Sequence, residues 1–348
     1  MTAIECPALR SDDTLGFLAA LGLLELCSGP LGLSGTRLSW AGVGGQAVIE
    51  ADCENVDDLA ERLIGLARDM HTAGRVLPFD HAGLVDRPLS DAERALRSEM
   101  LGYPLRLDPL RRDADGALAL YRSIAAVEIE GGSTAVRWTL ALINQMSDAK
   151  GADKQPTRAL TPLYAPAGRM TVHQLFRDAL SEVVRDPDQV RQALVRWERT
   201  EGTGGNLDDR SLRDAAVTSS GVAGNRSVAG GTWLGLMSIP FFRQTGTNLT
   251  RPSIVGWESR RRGTPMLRWP IWRTPLDAAA VTVLLAHPAI DRLMRDAGRG
   301  TEVERNRRRA AGRDQLIVIG VDAICVAERR ALDKSAGALQ PPHVVPVR

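Results

Sequence analysis

Lysine is almost missing from this 348-residue chain. Lys150, Lys154 and Lys334 are the whole set, and arginine supplies the other 41 of its 44 cations. A coding bias of that kind sets the type of cation; it does not set where the cations cluster. Paired cysteines are missing as well. Cys6, Cys27, Cys53 and Cys325 lie far apart, which excludes a disulfide framework and a CxxC metal site. There is no basic leader followed by a long apolar run. The most apolar stretch, TLGFLAALGLLELC, is one core helix long and carries Glu25, too short to cross a bilayer. The expectation is a cytoplasmic protein with no membrane partner. Signature motifs are scarce too. No Walker A or GxSxG sequence occurs, and Gly42, Gly44 and Gly45 lack the GKS/T ending of a phosphate loop, so they read as a turn.

What is present is globular in kind. Hydrophobic residues make up 44% and charged residues 25%, and the length suits one large or two ordinary domains. The net charge of +2 hides an asymmetry: from Arg243 to Arg313 there are 15 arginines against six acids, so the rest of the chain is acidic by seven. A basic face on a mildly acidic body is the electrostatic footprint of a polyanion-binding protein.

The pattern of elements predicts an α+β fold. SDDTLGFLAALGLLELCSGP reads as a capped, buried helix closed by Gly29-Pro30, TRLSWAGVGGQAVIEAD as a hairpin, and NVDDLAERLIGLARDMHT as an amphipathic helix. TAVRWTLALI reads as a strand. Residues 144–168 read as a long polar loop, and long loops in compact domains are often functional. Two helices follow between Val172 and Arg199, then a glycine-rich connector. AGNRSVAGGTWLGLMSIPFF reads as a loop entering a buried helix, PLDAAAVTVLLAHP as a helix, and QLIVIGVDAICV as a terminal strand. This gives two lobes: 1–200, a mixed helix-hairpin-helix lobe with a cationic loop near 144–168, and 213–348, a basic, more helical lobe ending in a strand.

The densest chemistry lies in GWESRRRGTPMLRWPIWRTP, residues 256–275. It sets Arg260, Arg261, Arg262, Arg268 and Arg273 among Trp257, Trp269 and Trp272. Indoles offer stacking platforms for bases and guanidinium groups pair with phosphates. The same residues also serve as core tryptophans with arginines on the rim. A second run, RNRRRAAGR, supplies Arg305, Arg307, Arg308 and Arg309. In a helix these would not share one side; in an extended loop they would straddle a backbone. Lys150, Lys154 and Arg158 form a candidate cationic finger, and Arg226, Arg243 and Arg251 extend the candidate nucleic-acid track. Catalytic patterns are weak. His71, Asp80 and His81 are the only candidates for a metal-dependent hydrolase or nuclease, and their spacing fixes no ligand geometry. No metal and no cofactor is expected. A third class, a protein–protein scaffold with tryptophan anchors, remains open.

TLGFLAALGLLEL, together with TWLGLMSIPFF and LRWPIWRTPLDAAAVTVLLAHP, resembles the large-subunit-like proteins of type I CRISPR effector complexes, nearest to the I-G (formerly I-U) subtype. The likeness spans about a fifth of the chain, in two separated pieces. It implies a non-nuclease subunit that binds guide RNA and target DNA beside other effector subunits. Such a subunit inspects the motif flanking the target and helps recruit a helicase–nuclease. Trp269, Pro270, Trp272 and Pro275 match the motif as architecture; the arginines beside them are not family residues. The chain is short for a large subunit.

Overall fold

The computed structural model describes residues 1–78, 137–138, 141–150, 156–165, 171–201, 204–210, 226–246, 252–258, 265–294, 301–331 and 336–348. Within them the polypeptide is mixed α+β, with antiparallel sheets throughout.

Ser11-Asp12-Asp13 separates the first two elements. Before it, Thr2–Arg10 is a strand (β1), absent from the sequence reading. Ile4 and Cys6 face inward at period two, and the register shifts between Cys6 and Arg10. Pro7 lies in that irregular stretch, and β1 is a sheet edge, where a residue without an N–H is tolerated. After the break comes α1, Thr14–Ser28, with Asp13 Oδ1 accepting from the Gly16 N–H at 2.7 Å. Every residue of α1 from Thr14 to Cys27 is buried. The expected hairpin is Arg37–Trp40 (β2) and Gln46–Ala51 (β3), giving the sheet order β1-β3-β2. Val56–Thr72 (α2) starts at Asn55, whose Oδ1 accepts from the Asp57 and Asp58 N–H groups.

Two expectations in the next stretch fail. Arg137, Trp138, Ala141 and Leu142 are helical, not extended. Trp138, Ala141 and Leu142 are all buried, and their i, i+3, i+4 spacing marks one face of a helix. The expected loop contains instead a hairpin, Ile143–Lys150 (β4) with Pro156–Leu160 (β5). Pro156 opens β5, a strand position where proline is accepted. Val172–Arg185 (α3), with a Thr171–Gln174 capping box, and Asp188–Val195 (α4) follow as expected.

Thr200–Glu201 (β6) pairs with Arg226–Ser227 (β7), and Ala229–Met237 (α5) is buried along its whole length. Helices α1 and α5 touch through Gly22: a Cβ there would fall 1.7 Å from the Leu234 carbonyl oxygen. Short strands Gln244–Gly246 (β8), Pro252–Ile254 (β9) and Trp257–Glu258 (β10) lead to Met266–Trp272 (β11). Ala278–Leu285 (α6), Pro288–Met294 (α7) and Glu302–Val318 (α8) precede Val321–Ala331 (β12). The chain ends with Ala336–Leu339 (β13) and His343–Pro346 (β14). The second sheet runs β10-β11-β12-β13, with β14 also pairing β12. The expected terminal strand is therefore half helix. Gln315 to Val318 complete α8, Gly320 turns at φ +82°, and the strand begins at Val321.

The two sheets meet around an aromatic cluster. Phe17 stacks on Trp269 (centroids 5.2 Å apart) and on Trp40 (5.9 Å), while Trp40 meets Trp272 edge-on at 6.1 Å. Leu38 and Leu276 exchange backbone hydrogen bonds of 2.8 and 2.9 Å. One hydrophobic cluster runs from Ile4 to Val347, with members on both sides of the composition break at 200–212.

Candidate nucleic-acid interface

All seven residues of β11 are buried, which decides the character of the tryptophan–arginine stretch. The indole of Trp269 donates to the Ser11 carbonyl at 2.8 Å and that of Trp272 to the Leu38 carbonyl at 2.9 Å. The first ties the second sheet to the turn between β1 and α1, and the second ties it to β2 of the first sheet. Trp257 is buried beside the Arg329 guanidinium, 5.3 Å from its ring centre. None of the three indoles is presented as a stacking surface; they are structural. Arg268 is 5% exposed, with Nη2 2.7 Å from Asp291 and Nη1 3.4 Å from Glu258. A guanidinium enclosed between two carboxylates is no phosphate ligand, so its place in the candidate track is corrected here. Arg273 is exposed, but its Nε lies 2.5 Å from Asp322 Oδ2, and that carboxylate also takes Arg348 at 3.5 Å.

The other basic run has the opposite fate. RNRRRAAGR is helical, inside α8, whose start is a reciprocal capping box between Thr301 and Glu304. Glu302 and Glu304 in the first turn favour the helix dipole. Only Gly312 and Leu316 of α8 are buried. Arg305 and Arg309 lie at i−7 and i−3 from Gly312, toward the packed face, and are half-buried; Arg307 and Arg308 are exposed. The Arg308 Nε donates back to the Glu304 carbonyl at 3.3 Å. Gly312 lets α8 approach α7 closely, next to the Ala289 carbonyl and Arg292. The helix is held by a narrow stripe and turns Arg307 and Arg308 outward.

The remaining candidates are scattered. Arg226 and Arg243 are exposed; the Arg226 carbonyl accepts from Arg199 Nη2 at 2.6 Å and the Arg243 carbonyl from the Val255 N–H at 3.1 Å. Lys150 pairs in register with Pro156, and Arg158 with Asp148, on the β4–β5 hairpin. Lys154, Arg251, Arg260, Arg261 and Arg262 lie outside the described residues, as do Asp80 and His81 of the metal alternative. His71 is exposed in the last turn of α2. Among the described residues no group of three or more His, Cys, Asp or Glu side chains is arranged to hold a metal. Nor is any helix among them long and apolar enough to cross a membrane.

Sequence reasoning missed an ionic cluster at the start of α1. Arg210 lies over the Trp197 ring and bridges Asp13 and the buried Asp208, which Arg199 also reaches at 3.3 Å. Burial pushes the Asp13 carboxyl up to about 6, against the pull of Arg210. This lock ties the start of the glycine-rich connector, at Asp208 and Arg210, to the first helix. Burial likewise raises Glu25, whose Oε2 is 2.8 Å from Arg137. Arg329, buried with no carboxylate partner among the described residues and donating Nη1 to the Gly337 carbonyl, is pushed down by its burial to about 10. Buried Cys6 and Cys325 are both raised to about 12, which keeps them as inert thiols.

Comparison with family models, with curated proteins and with solved structures gave no match.

Proposed function

We propose that the chain is a non-catalytic, nucleic-acid-binding subunit of an RNA-guided DNA-targeting complex. The observation that carries the nucleic-acid reading is α8, which buries only Gly312 and Leu316 and leaves Arg307 and Arg308 exposed, with Arg305 and Arg309 half-exposed beside them. Guanidinium groups on an outward helix neutralise phosphates without reading sequence. The assembly reading rests on the likeness to type I effector subunits. Its support is that the two separated pieces of that likeness adjoin in the core, Gly22 against Leu234 and Phe17 against Trp269. On this reading the partners are guide RNA, target DNA, neighbouring effector subunits and a helicase–nuclease.

The test is fluorescence anisotropy of the whole chain with a DNA duplex, single-stranded DNA and a guide-like RNA, from ~50 to ~200 mM salt. About six phosphate contacts predict an affinity loss of roughly 10³ over that range. Absence of binding to all three at the lowest salt overturns the nucleic-acid reading and leaves a scaffold.

A further inference from the structure

We propose that the buried side chains of Arg329 and Trp257 form a receptor for a small oxyanion beside strands β10, β12 and β13. Arg329 is 4% exposed and Trp257 7%. The Arg329 Nη1 donates to the Gly337 carbonyl at 2.8 Å. Its Nε and Nη2 have no acceptor among the described residues, and neither has the Trp257 Nε1. The guanidinium carbon lies 5.3 Å from the Trp257 ring centre, so the three orphan donors fall in one small region. Nε and Nη2 carry the parallel N–H groups along one edge of a guanidinium, the fork that grips two oxygens of a carboxylate or phosphate. With Nη1 anchored to a carbonyl, that edge is left for a ligand.

Only an anion satisfies both the donors and the charge. Burial lowers Arg329 to about 10, which still leaves it cationic at neutral pH. A charge in the interior is costly unless it is paired, and no carboxylate among the described residues pairs with this one. Strand register shows why. Glu258 and Glu328 flank Met266 on one face of the sheet, where Glu258 faces Arg268. Trp257, Leu267, Ala327 and Arg329 lie on the other face. The Trp257 ring offsets part of the cost by cation–π attraction. Water would fill the three donors yet leave the charge uncompensated. Strands β10 and β13, two and four residues long, end the sheet on its two sides, and local opening of such short edges gives a small ion its way in. The site does not rest on the nucleic-acid reading, because both residues are buried and neither belongs to α8.

The test is thermal melting of the whole chain in phosphate, acetate and chloride at neutral pH and matched ionic strength. Phosphate or acetate is expected to raise Tm over chloride by roughly 2–4 °C, saturating with concentration. Which of the two does so tells a phosphate ligand from a carboxylate. Arg329→Met exchanges a lone buried charge for an apolar side chain, a change that is often neutral or stabilising. It should melt no lower than the wild type in chloride and lose the response to the oxyanion. Trp257→Phe keeps a ring beside the guanidinium and removes the N–H, and should need about tenfold more anion for the same rise. If no oxyanion raises Tm above chloride in the wild type, the proposal fails. A rise retained in full by Arg329→Met overturns it too, by assigning the effect to surface arginines. Should Arg329→Met not fold, an unchanged concentration dependence in Trp257→Phe overturns it instead.

Discussion

The segment LRWPIWR, which contains most of strand β11, and the run RNRRRAAGR in helix α8 both carry arginine, yet they place it differently. In LRWPIWR, Arg268 and Arg273 bracket Trp269, Pro270, Ile271 and Trp272, and folding makes the segment an inner strand of a sheet. Arg268 is then enclosed by Glu258 and Asp291, while Trp269 donates to the turn after β1 and Trp272 to β2. In RNRRRAAGR the neighbours are small or polar, so the segment has little to bury except one stripe, and Arg307 and Arg308 are left exposed. Arginine content alone therefore predicts neither fate; the volume of the residues between the arginines does. An aromatic–cationic stretch is a core signature as readily as a binding one.

Substitutions that exploit this contrast should differ in size. Trp269→Ala removes a fully buried indole from the Phe17 stack and leaves the Ser11 carbonyl without its indole donor, and is expected to cost about 3–5 kcal/mol in chemical unfolding. Arg268→Ala should approach that, about 3–5 kcal/mol, because Glu258 and Asp291 lose the guanidinium between them. A loss below about 0.5 kcal/mol would put Arg268 back on the surface. Gly22→Ala drives a methyl into the Leu234 carbonyl, and should cost about 1–3 kcal/mol or more through separation of α1 from α5. Calorimetry reads all three.

The Asp13 cluster gives a pH test of the same core. A carboxyl raised from its ordinary 3.8 to about 6 binds its proton more tightly in the folded state. Its contribution is full below about 3.8 and is lost as pH rises through about 6. Relative to Asp13→Asn, which does not titrate, the wild type should gain on the order of 2 kcal/mol between pH 7 and pH 4. A pH-independent difference would mean that Asp13 is ordinary and exposed.

Much of the fold was legible. A cap and a stop placed α1, amphipathic spacing placed α2, α3 and α4 were also read as helices, and the glycine turn placed the β2–β3 hairpin. What escaped has physical causes. Pro7 disguised β1, whose alternation at Ile4 and Cys6 was otherwise present. Polar composition at 144–160 suggested a loop, although cross-strand pairing supplies the backbone bonds that composition does not report. QLIVIGVDAICV reads as one apolar run, while its Gly320 at positive φ divides helix from strand. The burial of Trp269 and Trp272 was one of two readings left open, because sequence spacing does not say whether Phe17 and Trp40 are near enough to cover them. The Arg210–Asp13 bridge spans nearly the length of the first two hundred residues and left no local signal.

The most direct test of the account is the salt dependence of duplex DNA affinity in the wild type and in a triple Arg307→Ala, Arg308→Ala, Arg309→Ala variant. Stability should change little at the exposed Arg307 and Arg308, within about 0.5 kcal/mol per site, and somewhat more at the half-buried Arg309. Each lost phosphate contact should flatten the slope of log affinity against log salt by about 0.9, so a flattening of two to three units is the expected result. An unchanged slope in a folded variant would contradict the assignment of α8 as the nucleic-acid face.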